Sequence, residues 1–323
     1  VILDTDPLLI MFLYIEFAGP LTTVQDLGRT GYERYGVPVS GALDELALRA
    51  ANALVGNAPD AAGLEIPATV ALTASADALM AVCGAGELNV RVNGRSRPAW
   101  TALFARERQT IEVNAAPGRW AYLAVSGGIE APLVLGSRAT YLRGGFGGWE
   151  GRALQSGDRL PIGPATVSPA SAAGRTIPAA QRPPYSEHLA VEVILGPQLG
   201  HFSHAALETF LSAEFSISAE ADRMGYRLSG PSIAPTQADI LSEGMPLGAV
   251  QVPASGQPIV MLADRPTTGG YPKIATVIRA DVPLLAQCPP GAGRVQFRAT
   301  TVAAAQAKYR ARLAALRPAT DDD

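Results

Sequence analysis

The 323-residue chain is poor in the residues that most often announce a site: it has two cysteines, three histidines and two lysines. Cys83 and Cys288 lie far apart without CxxC or Cys/His spacing, which excludes a disulfide framework, argues against structural zinc and fits a reducing compartment. The one histidine pair, His201 and His204, reads as the solvated first turn of a helix. There is no Gly-x-Ser-x-Gly elbow, and neither cysteine is flanked by activating groups, so hydrolysis through a Ser or Cys nucleophile is disfavoured. An excess of one charge is missing as well. Lys and Arg number 26 against 29 Asp and Glu, and the terminal Asp321, Asp322 and Asp323 supply the whole net charge of −3. A balanced chain without a basic stripe argues against nucleic acid or an anionic membrane as the main partner. The apolar run 7–15, PLLIMFLYI, lies between Asp6 and Glu16 and lacks a basic start. A membrane span needs about 20 apolar residues, so the run reads as a buried strand. Together these absences predict a cytoplasmic globular protein.

Glycine and proline, 33 and 26 residues, punctuate the chain. Between them lie short β-branched runs at 69–73, 79–83, 88–92, 110–113, 120–125, 191–195, 259–262 and 274–278, which read as strands. Asn93-Gly94 predicts a type I′ hairpin, because both residues accept positive φ. Helices are few. Leu43, Leu46, Ala47, Ala50 and Leu54 recur at helical spacing and predict a helix over 42–55, with Ser40 as its cap and Gly56 past its end. Others are expected over 204–211 behind Ser203, over 281–287 and over 302–316. Residues 164–185 have the Pro, Ala and Ser content of a linker.

The halves on either side of that linker echo each other. Each opens on a strand running into Gly-Pro, at Gly19-Pro20 and Gly196-Pro197. Each then carries an Asp followed by Gly-Tyr and Arg: Asp26 with Gly31, Tyr32 and Arg34, and Asp222 with Gly225, Tyr226 and Arg227. Each closes with a glycine turn, an Arg and an apolar strand, beginning at Arg159 and Arg294. The expectation is a mainly β chain with two related barrel domains, over 12–163 and 186–300, joined by the 164–185 linker and followed by a C-terminal helix over 301–318. Each barrel is expected to be closed or nearly so, because closure removes exposed strand edges.

Three loops carry candidate chemistry. Of the 26 basic residues 24 are Arg, so Lys273 stands out, at the end of a turn containing Thr267, Thr268, Gly269, Gly270 and Tyr271. The turn offers hydroxyls and backbone N–H groups to an anion, with Arg265 and Lys273 as the positive field; the plain alternative is a hydrated turn with surface charges. In the loop 22–32, Asp26 is a candidate general base or metal ligand and Arg29 a candidate anion clamp; the alternative is an Asp–Arg ion pair that organises the loop. The Gly-rich segment 136–148 lacks both the ending of a P-loop and the setting of a Rossmann fingerprint, which leaves Arg138 and Arg143 as candidate anion ligands.

Taken together, the blocks 19–57, 135–148, 221–230, 239–253 and 264–278 resemble the carboxyltransferase A/B family, over roughly residues 13 to 300. The resemblance implies cyclophilin-like β-barrel domains. It also implies two partners, a KipI-like protein and a LamB/YcsF-like protein, which together with a chain of this family open the lactam of 5-oxo-L-proline to L-glutamate with ATP and Mg²⁺. Such chemistry needs cationic clamps and a carboxylate more than a nucleophile. Arg29, Arg223, Arg265 and Lys273 lie in the family-like blocks as candidate clamps, with Asp26 or Asp264 as base or metal ligand. These roles rest on residue chemistry. The family leaves two other readings open. One is carboxyl transfer from carboxybiotin to urea or a related amide, which requires a separate biotin carrier because no Met-Lys attachment sequence is present. The other is regulation, by binding a KipI-like inhibitor of a sensor kinase.

Overall fold

The computed structural model of the chain describes residues 11–165 and 167–318. The strand expected over 7–15 is present as Met11–Ala18, with Leu13 and Ile15 buried; residues 7–10 lie outside the described residues. In the first half, antiparallel strands form two sheets. One has the order Arg159–Ile162, Met11–Ala18, Thr69–Ala74, Ile111–Asn114, Asn89–Val92 and Arg95–Arg97. The other runs Thr23–Gln25, Gly63–Ile66, Ala121–Val125, Ala78–Gly84 and Ala102–Ala105. Leu13, Val70, Val113 and Leu160 of the first sheet share a core with Val24, Leu64, Val82 and Leu123 of the second. The outer face of the second sheet is covered by the helix Glu45–Leu54, whose Leu46, Ala47, Ala50 and Leu54 pack on Leu79, Ala81, Tyr122 and Ala124. That double coverage explains why Ala78–Gly84 and Ala121–Val125 are buried throughout instead of alternating.

The second half is a closed barrel. Its strands follow the order His188–Leu195, Lys273–Val277, Ala249–Gln251, Ile259–Met261, Gly225–Ser229, Glu214–Ile217 and Arg294–Ala299. Closure comes from His188–Leu195, which pairs antiparallel with Lys273–Val277 and parallel with Arg294–Ala299. Phe210 stacks on Phe297 at 4.5 Å between ring centroids in the barrel core. The mainly β expectation therefore holds, with one half closed and the other divided into two sheets over a common core.

Local signals translate directly. Asn93 and Gly94 have φ of 50° and 73° and join Val92 to Arg95, the geometry that a type I′ turn demands. Ser203 caps the helix His204–Ser212 by accepting from the Ala206 N–H at 3.1 Å. The helix expected over 42–55 begins only at Glu45. Its cap is Asp44, which accepts from the Ala47 N–H at 2.9 Å, while Ser40 lies outside it with φ +56°. The segment with linker composition is fastened to the first half: Ala172 and Ile177 are buried beside the helix Glu45–Leu54, and the Ile177 N–H bonds the Trp100 carbonyl at 3.1 Å. The helix Val302–Ala315 touches both halves through Lys308 to Asp281 at 2.8 Å and the Tyr309 hydroxyl to Glu45 at 3.0 Å. No helix among the described residues is long and apolar enough to cross a membrane.

Candidate active site at the junction of the halves

Two loop segments of the first half lie back to back at the junction. The Arg29 N–H bonds the Val39 carbonyl at 2.8 Å, and the Ala42 N–H bonds the Asp26 carbonyl at 2.9 Å. Gly28 and Gly41 have φ of +88° and +84°, and a Cβ on either would lie 2.7 Å from the Val39 oxygen or 2.6 Å from the Gly28 nitrogen. Only glycine lets these backbones approach so closely. From the second half, the Ala263 carbonyl accepts the Ser40 N–H at 3.1 Å, so the paired loops are docked onto the barrel.

Asp26 pins this assembly from within. Its carboxylate accepts from the Gly28 N–H at 2.7 Å, the Ser137 hydroxyl at 2.7 Å and the Arg138 N–H at 2.5 Å. Asp26 thus organises the loop through Ser137 and backbone amides, and among the described residues no ion pair with Arg29 is formed. Arg29 is 1% exposed, donates to the Ala139 carbonyl and stacks its guanidinium 5.0 Å from the Phe146 ring centre. Its Nε and Nη1 have no partner among the described residues. Burial pushes the Arg29 pKa down, against the opposing fields of Asp26 and Asp264.

Between the halves, Arg223 is the central charge. Its Nε donates to Asp264 Oδ2 at 2.9 Å, its Nη2 to the Gly41 carbonyl at 2.7 Å, and its Nη1 to Glu65, a fully buried residue of the facing half. Burial opposes the charge on Arg223, but Glu65 and Asp264 outweigh it and hold the pKa above its ordinary value. Glu65 also accepts from the Tyr122 hydroxyl and the Leu43 N–H, both at 2.8 Å. Nearby, Asp44 accepts from the Tyr185 hydroxyl at 2.6 Å and the Gln287 amide at 2.9 Å. Burial pushes its pKa up to about 6 despite those hydrogen bonds.

Beside this network opens a cleft of about 190 Å³, lined by Thr30, Glu33 and Ser40 from the first half and by Leu247, Arg265 and Arg279 from the second. Arg265 spends Nε on the Met245 carbonyl at 2.8 Å and Nη1 on the Leu262 carbonyl at 3.3 Å. No carboxylate ion-pairs with it among the described residues, and burial lowers its pKa against the fields of Glu33 and Asp264.

Lys273 stands in the barrel wall. Its buried ammonium donates to Glu243, which also accepts from the Gln198 amide at 2.7 Å; the Lys273 hydrogen bond draws the Glu243 pKa down. Thr268 and Gly269 pair with Gly244 and Glu243 as a short ribbon, so part of the Thr-Thr-Gly-Gly backbone is engaged within the chain. Gly270 accepts the Ile240 N–H at 2.9 Å, and Tyr271 projects half-exposed. Met245 links this ribbon to the cleft: its N–H bonds the Thr267 carbonyl at 3.0 Å while its own carbonyl holds Arg265. Arg138 ion-pairs with Glu130, and Arg143 lies exposed on a separate groove with Asp222 and Arg227.

The structure therefore gathers Asp26, Arg29, Arg223, Asp264 and Arg265 at the junction. Thr268 lies in the adjoining ribbon, with Thr267, Gly270 and Tyr271 flanking it in the chain; Lys273 begins the barrel strand that follows, and Arg143 stands apart. Asp44, Glu65 and Gln287 escaped the sequence reading, and Ser40 was read there only as a helix cap. One signal was available for Glu65, a lone carboxylate in the otherwise apolar strand Gly63–Ile66, all four of whose residues are buried.

Comparison with known proteins agrees with this architecture. The family model described as carboxyltransferase domain, subdomain A and B, matches residues 35–299. The chain is 41% identical over 281 residues to the C subunit of 5-oxoprolinase from Escherichia coli K12, covering 85% of this chain and 87% of that protein. The solved structure of TTHA0988 superposes with a TM-score of 0.80 at 34% identity, over 90% of this chain and 56% of that one. The Kluyveromyces lactis urea carboxylase gives a TM-score of 0.84 at 26% identity, over 97% of this chain and 30% of that one. The chain thus spans about half of TTHA0988 and under a third of the urea carboxylase. On the extent of these matches, it belongs to the carboxyltransferase A/B domain family.

Proposed function

We propose that this chain is the C subunit of a multi-subunit, ATP-dependent 5-oxoprolinase in the cytoplasm, acting with a KipI-like B subunit and a LamB/YcsF-like A subunit. The observation that carries the reading is the 41% identity to the corresponding E. coli 5-oxoprolinase chain over 87% of that protein's length. A lactam carbonyl is a poor electrophile. Transfer of the ATP γ-phosphoryl to its oxygen releases ADP and activates the carbon. Water then adds there, the C–N bond breaks as the nitrogen takes a proton, and a second water hydrolyses the resulting acyl phosphate to glutamate and phosphate. The protein's part is to hold charge and exclude water. Arg29 and Arg265, each buried and without an ion-pair partner among the described residues, support such a role, with Arg223 and Asp264 fixing the junction that carries them. Lys273, from the barrel wall, and Asp26, from the junction loop, remain proposed contributors. Among the described residues no three His, Cys, Asp or Glu side chains converge to hold a metal ion. Mg²⁺ is proposed to accompany the nucleotide at the level of the complex, and no step is routed through it.

Co-purification with both partner subunits, followed by an assay of glutamate release from 5-oxo-L-proline, tests the reading. ATP-dependent release by the complex and none by this chain alone is expected. Full turnover by the isolated chain would overturn the division of labour. Carboxyl transfer from carboxybiotin to urea, without glutamate release, would instead select the second reading, whose solved relative, the urea carboxylase, is 26% identical to this chain.

A further inference from the structure

We propose that the junction cleft holds the carboxylate of a small cyclic amide between the Ser40 hydroxyl and the free edge of the Arg265 guanidinium. The inference rests on the 5-oxoprolinase reading and assigns the groups that recognise the substrate's acid. Ser40 is a non-glycine residue at φ +56°, a left-handed conformation that is unfavourable for an L residue. It is only 4% exposed, yet its hydroxyl has no partner among the described residues. A buried, unpaired hydroxyl is itself unfavourable, so this residue carries two local penalties that glycine would avoid.

Its surroundings hold it in place. The neighbouring Gly28 and Gly41 contacts fix the loop, and the Ser40 N–H is bonded to Ala263, two residues before Arg265. Arg265, 8% exposed, has Nε and Nη1 engaged by carbonyls while Nη2 has no partner among the described residues. A guanidinium without an ion-pair partner and an unpaired hydroxyl on residues lining the same cleft suit a planar anion that accepts from both.

Size and charge restrict that anion. The cleft of about 190 Å³ is smaller than the roughly 300–1,000 Å³ typical of sites for drug-sized ligands, which fits a single-ring acid better than a nucleotide. The other cation on its lining, Arg279, is already paired with Glu45 at 2.8 Å. Glu33, whose carboxylate also accepts the Gly31 N–H at 2.8 Å, lies on the same wall and disfavours a polyphosphate. A guanidinium without an ion-pair partner among the described residues, on a lining that also carries the Glu33 carboxylate, matches a monoanion that also carries an amide N–H donor.

Thermal shift and calorimetric titration of the full chain and of the assembled complex test the proposal, with 5-oxo-L-proline, 2-pyrrolidinone (the same ring without the acid) and inorganic phosphate as probes. For the wild type, 5-oxo-L-proline at about a hundredfold excess over Kd should raise Tm by roughly 5 °C, and the other two should not. Ser40→Gly should melt about 2 °C higher than wild type without ligand, because the backbone strain is relieved, and should bind 5-oxo-L-proline at least about tenfold more weakly. Arg265→Gln should lose the ligand shift. Because Ser40→Gly is expected to gain stability, its weaker binding cannot be ascribed to misfolding. Equal binding by wild type and Ser40→Gly, equal binding of 2-pyrrolidinone or phosphate, or no binding of 5-oxo-L-proline to the wild type would overturn the proposal. Selective binding lost in the variants, in a complex that releases no glutamate, would remove the 5-oxoprolinase reading and leave the carboxylate site standing. Turnover with binding untouched by either substitution would do the reverse.

Discussion

At Asp26 and at Asp222 a carboxylate accepts the N–H of the residue two positions on, Gly28 at 2.7 Å and Met224 at 2.8 Å. The turns are alike and their continuations are not. After Asp222 the chain enters the barrel strand Gly225–Ser229, and the carboxylate stays exposed. After Asp26 the chain forms a short helical turn, Glu33–Tyr35, and doubles back to Ser40, while the carboxylate is buried under Ser137 and Arg138. The opening strands repeat this pattern of shared start and separate outcome. Gly19 and Gly196 both donate to the neighbouring strand, at 2.7 Å to Thr69 and 2.8 Å to Ile274. The closing strand Arg159–Ile162, however, runs antiparallel to its partner, whereas Arg294–Ala299 runs parallel. A closed barrel draws its Asp-Gly-Tyr segment into the wall. The two-sheet half leaves the corresponding segment free to become a loop, and that loop lines the cleft.

The largest difference between the halves is expected at the residue that joins them. Arg223→Ala leaves Glu65 buried and Asp264 unpaired, and should destabilise by about 3–5 kcal/mol in chemical denaturation. Arg227→Ala, at an arginine 62% exposed and 4.0 Å from Glu220, should change stability by less than about 0.5 kcal/mol. Similar losses for the two would deny the junction its special status.

Asp44 gives the next largest effect, read through pH. Its folded-state pKa of about 6 lies above the ordinary value of 3.8, so the native state holds the proton more tightly than the unfolded one. Its contribution is fully present below about pH 4 and is lost as pH rises to about 6, a difference of ~3 kcal/mol. Stability curves of wild type and Asp44→Asn should diverge in slope across that window and run parallel above it. A wild-type minus variant difference that stays flat from pH 4 to 6 would contradict the buried, partly protonated carboxylate.

A smaller contrast returns to the paired turns. Asp26→Ala strands the Ser137 hydroxyl and two backbone N–H groups in a buried site, and should cost about 2 kcal/mol. Asp222→Ala exposes its two N–H groups to water, and should cost under about 1 kcal/mol. Equal melting temperatures for these variants would mean that the turns do the same work in both halves.

How much was readable beforehand follows the range of the interaction. The Asn93-Gly94 hairpin, the Ser203 cap and the apolar face of Glu45–Leu54 are decided within a few residues, and their signals stand in the sequence. The parallel pairing of His188–Leu195 with Arg294–Ala299 closes the barrel across about a hundred residues, and no local pattern specifies its direction. The site divides in the same way. Arg29, Arg223, Asp264 and Arg265 were visible as charged residues among Gly-rich loops. Ser40 looked like a helix cap because cap and strained loop residue share a preference for small polar side chains; only the backbone angle and the unpaired hydroxyl separate them.

In the proposed reading, contact between an open half and a closed half forms the substrate site. The most direct test is kcat/KM for 5-oxo-L-proline in the assembled complex carrying Arg265→Gln, with melting temperature recorded alongside. A fall of roughly a hundredfold or more with melting within a few degrees of wild type is predicted. Near-normal turnover by that variant would contradict it.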